Sequence, residues 1–230
     1  MLTEFDPGYR NRTAEVKDYL SRNSRLIIVS GNIGLGKSTV TKGLGETLGI
    51  KGLFEDPEEN PLLGKFLVDK PKYCFALQEE FLNLRTGLRE KGLEQSSCKD
   101  RSFAEDPLVF FRKFFDDGYL TRTEYTELKG IFFDRIRSLP GADLLIALEG
   151  SADLAWSRIQ KRAREMEMNG GWRHEDIVAF ADLYSTFVTK VQAHELHIGP
   201  VLRVNCEGFE FEEQDHLEHL ISEVARELID

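Results

Sequence analysis

Apolar residues fall along the chain in two alternating rhythms, short unbroken runs and stripes at helical spacing. Leu26-Ile27-Ile28-Val29 is an unbroken run and predicts a buried strand over Leu26–Ser30. Further strands are predicted over Gly52–Glu55, Asp143–Leu148 and Val201–Cys206. A third in chain order is expected to end near Asp100, although residues 94–99, Glu-Gln-Ser-Ser-Cys-Lys, are too polar for a central strand by periodicity alone. That assignment leans on the Asp-Arg-Ser that follows. Thr121-x-x-Glu124 is a capping box, and Tyr125, Leu128, Phe132 and Ile136 then recur at helical spacing. Leu217, Leu220, Ile221, Val224 and Leu228 stripe a C-terminal helix in the same way. Short runs alternating with helical stripes predict an α/β fold with a five-stranded parallel sheet flanked by crossover helices. No repeat, low-complexity tract or interdomain linker interrupts the pattern, so residues 25–230 are expected to form one domain behind a polar leader over residues 1–24.

The first strand runs into Gly31-Asn32-Ile33-Gly34-Leu35-Gly36-Lys37-Ser38-Thr39, a full G-x-x-x-x-G-K-[ST] phosphate loop ahead of a helix-compatible stretch. Glycines let successive backbone N–H groups converge on phosphate oxygens, Lys37 adds a point charge at the β- and γ-phosphates, and Ser38 offers a hydroxyl to Mg²⁺. A nucleoside triphosphate is therefore the expected ligand.

Composition narrows the setting. With 230 residues and 41% hydrophobic content the chain can build one substantial core. A formal net charge of −10 argues against nucleic-acid or anionic-membrane partners and favours a small-molecule substrate. Cys74, Cys98 and Cys206 are odd in number and lack a C-x-x-C pair, which predicts reduced, buried thiols. Glu4, Asp6, Glu15 and Asp18 spoil a secretory or mitochondrial presequence, so a cytoplasmic location is expected. His194-x-x-His197 and His216-x-x-His219 lack a third ligand nearby and are expected to face solvent.

A phosphate loop alone does not choose among GTPases, motor ATPases and small-molecule kinases. No guanine-reading N-K-x-D is present, and Leu144-Leu145-Ile146-Ala147-Leu148 ends in Glu149-Gly150 rather than in a magnesium-orienting Asp. The acids that follow strands are instead Glu55 and Asp100. Arg158-Ile159-Gln160-Lys161-Arg162-Ala163-Arg164 sets four positive charges on an acidic protein, a pattern suited to a lid that closes over a phosphoryl group and excludes water.

These features, taken in order, resemble the deoxynucleoside kinase family. The resemblance rests on the phosphate loop, on Phe54-Glu55-Asp56 with Glu59-Asn60-Pro61, and on Gln78 followed at +7 by Arg85. Asp100-Arg101-Ser102 with Asp106, and Arg158-x-x-x-Arg162-x-Arg164-x-x-Glu167 in a lid over about 158–171, complete it. It implies a phosphotransferase of the phosphate-loop fold that uses ATP or another nucleoside triphosphate with Mg²⁺. Glu55 is then the general base toward the 5′-hydroxyl, with Arg101 holding that base and the phosphates and Lys37 at the triphosphate. Ser38 and Asp100 are implied at magnesium. Gln78, Phe81, Arg85 and Asp106 are implied at the nucleobase and Glu167 at the sugar. Arg158, Arg162, Arg164 and Phe209 are implied at the donor nucleotide. The segment around Gln78 is most similar to purine-accepting bacterial members, and the family implies a homodimer, compatible with the apolar Leu108–Phe111 and Phe114-Phe115. Leu67 stands where the family commonly places a sugar-binding Tyr. Two alternatives share these residues: a degraded nucleotide-binding relative serving as an assembly subunit, and a kinase of another small hydroxyl compound.

Overall fold

The computed structural model describes residues 1–55, 60–139, 141–163, 172–196 and 199–230. The chain runs α1 (Thr13–Arg22), β1 (Leu26–Gly31), α2 (Lys37–Leu48), β2 (Lys51–Leu53), α3 (Leu63–Val68), α4 (Lys70–Lys91) and β3 (Ser97–Asp100). A π-helical turn over Asp106–Phe110 leads into α5 (Phe111–Asp116), followed by α6 (Arg122–Ile136), β4 (Leu144–Glu149) and α7 (Ala152–Arg162). α8 (His174–Ser185), α9 (Phe187–Ala193), β5 (Val201–Asn205) and α10 (Gln214–Leu228) complete it.

All five strands are parallel, in the order β2-β3-β1-β4-β5. β1 is central and buried at every position, as its aliphatic run requires. Val29 lies opposite Asp100 and Gly31 opposite Leu148, so the C-terminal ends of β1, β3 and β4 open on one crevice. Ligands of open α/β sheets bind at such an edge.

The polarity of β3 has a local explanation. All four of its residues are buried. The Ser97 hydroxyl donates to the Gly92 carbonyl at 2.7 Å, the Lys99 ammonium donates to the Arg101 carbonyl at 2.8 Å, and Asp100 accepts from the Ser38 hydroxyl. Hydrogen bonding within the fold, not exposure, accounts for these groups, apart from the second oxygen of Asp100. α4 starts where Asp69 accepts the Lys72 N–H, with Pro71 in its first turn. Along it Gln78, Phe81 and Arg85 follow at three- and four-residue steps, share a face and are buried. The capping box of α6 forms as the sequence predicts.

Residues ahead of β1 do more than lead into it. α1 buries Val16 and Leu20 and packs on α2 and α10. Leu2 pairs with Val204, its N–H donating to Arg203 at 2.7 Å and its carbonyl accepting from Asn205 at 2.8 Å. The expectation that His216 and His219 face solvent is corrected. His219 is 4% exposed, stacks on Tyr9 and accepts the Asp6 N–H, while His216 packs on Phe5. The N-terminal segment covers this helix face, and its burial holds the His219 imidazole below its usual range. His194 is exposed and His197 lies outside the described residues. Val109, Phe110, Phe111 and Phe114 are absorbed by the chain's own core.

Candidate functional site

The phosphate loop leaves β1 at Gly31 and enters α2 at Lys37. Gly34 has φ +89°, and a Cβ there would lie 2.3 Å from the Ala155 carbonyl oxygen; at Gly31, φ +145°, it would lie 2.6 Å from that of Leu148. Only glycine fits at either position. Lys37 is buried in the first turn of α2 and its ammonium donates to the carbonyls of Gly31 and Asn32 at 2.8 and 3.0 Å. Burial, with Arg101 and Arg162 nearby, pushes its pKa down. Asn32 accepts the Ile33 N–H and donates to the Ile177 carbonyl at 3.1 Å, pinning the loop to α8. Ile33 and Leu35 are buried beneath the loop, and Thr39 is half-buried one position beyond Ser38.

The Ser38 hydroxyl donates to one oxygen of Asp100, while the other, Oδ1, is buried with no hydrogen-bond partner among the described residues. A hydroxyl and an unsatisfied carboxylate oxygen beside the loop are hard oxygen donors of the kind Mg²⁺ takes, so these residues fit the ion. No cluster of three His, Cys, Asp or Glu that could hold a metal occurs among the described residues. Mg²⁺ does not need one, because it keeps waters and binds through one or two carboxylates and substrate phosphates.

Glu55, just past β2, meets α4. Arg85 grips its carboxylate through Nε and a terminal nitrogen at 2.7 Å each, and its other terminal nitrogen reaches Asp106 Oδ1. Arg101 stands 3.8 Å from Glu55, so Arg85 rather than Arg101 makes the close grip on this carboxylate. Burial raises the Glu55 pKa, but the charges of Arg85 and Arg101 outweigh it and bring it down to about 2. Asp106 is fully buried, and its Oδ2 has no hydrogen-bond partner among the described residues. The Arg85 guanidinium lies 4.9 Å from the Phe81 ring centre and that of Arg101 4.4 Å from Phe110. Gln78 is buried on the same face of α4 as Arg85. An ionised carboxylate thus sits between two guanidiniums, beside a buried acceptor and aromatic surface.

The lid residues divide. Arg158, on α7, donates to the carbonyls of Leu35 and Phe209 at 3.3 and 2.7 Å and lies 3.6 Å from Glu210. It clamps the segment after β5 onto the phosphate loop. Arg162 ends α7 close enough to Lys37 to repel its charge. Arg164, Glu167 and the rest of the expected lid through residue 171 lie outside the described residues. The Phe209 ring is 1% exposed against Phe211, His216 and His219, so its carbonyl, not its ring, faces the site; the Phe211 ring lies nearest Gly36.

A family model described as deoxynucleoside kinase matches residues 27–230. The chain belongs to the deoxynucleoside kinase family. It is 28% identical over 212 residues to a deoxyadenosine/deoxycytidine kinase of Bacillus subtilis, covering 90% of this chain and 94% of that one. It is 30% identical over 190 residues to a deoxyadenosine kinase of Dictyostelium discoideum, covering 82% and 75%. The fold matches that of deoxyadenosine kinase from M. mycoides with bound dATP, with a TM-score of 0.73 at 24% identity, over 86% of this chain and 98% of that one. This deoxynucleoside kinase is accordingly a phosphotransferase. No helix among its described residues is long and apolar enough to cross a membrane.

Three residues of the kinase site escape sequence reasoning: Glu105, Tyr184 and Lys99. Glu105 is fully buried and accepts from the Ser30 hydroxyl, the Ser102 N–H and the Tyr184 hydroxyl. Its signal was available, since Ser102-x-x-Glu105 is itself a capping-box spacing. Tyr184 carries no such mark. Lys99 is buried with its ammonium on the Arg101 carbonyl, and burial lowers its pKa to about 8 against the pull of Glu55.

Proposed function

We propose that the kinase transfers the γ-phosphoryl of ATP to the 5′-hydroxyl of a purine deoxynucleoside, with Mg²⁺. The observation that carries this reading is the Glu55–Arg85–Asp106 chain, in which one guanidinium ties the carboxylate nearest the reaction to the carboxylate nearest the base. The 5′-oxygen attacks the γ-phosphorus as the bond to the β,γ-bridging oxygen breaks, ADP leaves, and the hydroxyl proton passes to Glu55. In a loose transition state the nucleophile loses its proton late, so a weakly basic carboxylate serves by orienting the hydroxyl and receiving the proton at the end. Lys37, Arg101, Arg162 and Arg164 bear on the negative oxygens, and Ser38 and Asp100 would hold a Mg²⁺ ion that would supply further neutralisation. Arg158 acts by fixing the donor side of the site.

Gln78 and Asp106 would meet the base edge, with Phe81 against its face and Glu167 toward the sugar. The unsatisfied Asp106 Oδ2 suits an exocyclic amino group. The names of the relatives in Bacillus and Dictyostelium support adenine among the accepted bases. Three free, buried cysteines are in keeping with a cytoplasmic setting. Exposed Leu84 and Phe133, on the contacting helices α4 and α6, offer apolar surface to a second copy in a homodimer. A coupled ADP-release assay across the deoxynucleosides and their ribo counterparts tests the reading. Turnover that depends on a deoxynucleoside is expected, and release of ADP indifferent to nucleoside would overturn it.

A further inference from the structure

Glu105 joins three parts of the molecule. Its Oε1 accepts from the Ser30 hydroxyl at 2.6 Å, one residue before the phosphate loop, and from the Ser102 N–H at 3.1 Å, in the turn after β3. Its Oε2 accepts from the Tyr184 hydroxyl at 2.7 Å, on α8, and stands 3.8 Å from the Arg101 guanidinium. Arg101 stands 3.8 Å from Glu55 as well. At that distance charges attract without a direct hydrogen bond, so the guanidinium is suspended between two carboxylates.

What keeps it there is a competition for donors. A buried carboxylate oxygen takes the nearest available donor, because an unsatisfied one is costly. Tyr184 occupies the Glu105 oxygen that faces Arg101, and its phenol remains a donor because burial and the neighbouring carboxylate raise its pKa well above the usual value. Without that hydroxyl, the nearest replacement is Arg101 itself, drawn toward Glu105 and away from Glu55.

We propose that Tyr184 and Glu105 form a positioning pair that sets the Arg101 guanidinium between Glu55 and the phosphate loop and ties that setting to α8. The second attachment of α8 to the loop, through Asn32 and the Ile177 carbonyl, places the same helix against both halves of the site. The proposal rests on the reading of Glu55 and Arg101 as groups at the reacting atoms.

The test is steady-state kinetics of Tyr184→Phe, Glu105→Gln and the double variant, with thermal melts of each. Tyr184→Phe is expected to lower kcat roughly tenfold with KM for nucleoside and ATP within about twofold, as for a misplaced group that acts at the transition state. Glu105→Gln removes the charge that would capture Arg101, so Tyr184→Phe added to it should lower kcat no further. A pair that only supports the fold would lower Tm and leave kcat of the folded enzyme alone. Wild-type kcat in folded Tyr184→Phe overturns the proposal, as does full additivity in the double variant; should Glu105→Gln not fold, the single Tyr184→Phe decides. A wild-type enzyme without deoxynucleoside-dependent turnover would instead overturn the kinase reading, and this inference with it.

Discussion

Arg85 holds Glu55 through two parallel hydrogen bonds of 2.7 Å, in a place where both side chains are almost wholly buried. Such a fork fixes the plane of the carboxylate as well as its position. It also keeps Glu55 ionised under conditions where a carboxyl buried alone would take up a proton.

Glu55→Gln keeps size and polarity but cannot accept a proton. kcat is expected to fall by roughly 10²-fold or more, the scale of lost general-base catalysis. ATP binding, measured by calorimetry, should survive because the phosphate loop is untouched. Near-normal turnover by the folded variant would assign Glu55 to structure alone.

The depressed pKa of Glu55 makes a prediction about acid. A carboxyl at about 2 in the folded chain and 4.5 as a free group contributes stability that is fully present above the higher value. That contribution fades as pH falls from 4.5 toward 2. Denaturant unfolding across this window should show a steeper loss of stability in wild type than in Glu55→Gln. Parallel curves would mean that Glu55 is not held ionised by Arg85 and Arg101.

Arg162 and Arg164 are expected to act on the triphosphate as charge spreads in the transition state. Either Arg→Ala change should lower kcat/KM by roughly 10²-fold or more while moving Tm little, as for the loss of a group that acts at the transition state. Wild-type activity in both variants would reduce them to solvated surface charge.

Asp106 holds a buried acceptor with no hydrogen-bond partner among the described residues, and if it contacts the base as proposed it would face the carbonyl and methyl group of thymine. Mismatched buried polar groups can cost roughly 10⁴ in kcat/KM, so thymidine should be the poorest of the four deoxynucleosides. Comparing kcat/KM for deoxyadenosine, deoxyguanosine, deoxycytidine and thymidine at fixed ATP and Mg²⁺ checks this. Thymidine as the best substrate would remove Asp106 and Arg85 from base recognition; a preference for deoxycytidine would reverse only the purine assignment.

Where side chains obeyed one periodicity, the sequence was readable. The aliphatic run of β1, the capping box of α6 and the stripe of α10 appear where their patterns put them. β3 resisted because its buried polar residues are satisfied by specific hydrogen bonds, local ones to Gly92 and Arg101 and a distant one from Ser38, that a polarity pattern does not reveal. Gln78, Arg85, Arg101 and Asp106 became candidates through the resemblance to the family, and Asp100 also from its place after a strand, but neither route revealed that Arg85 rather than Arg101 makes the close grip on Glu55. Tyr184 was invisible to both, being 79 positions from the carboxylate it meets. His219 misled because its cover comes from the N-terminal segment, which reads as polar until Phe5 and Tyr9 are placed against it.

The pairing of Leu2 with Val204 bears on how separate molecules behave toward one another. An open sheet has two flanks of unpaired backbone, each a template for another chain's strand. Here the β2 flank is only three residues long, too brief to recruit a neighbour. The β5 flank is longer, and Leu2 occupies its middle. Detaching the first few residues would therefore bare a sticky margin, open to self-association.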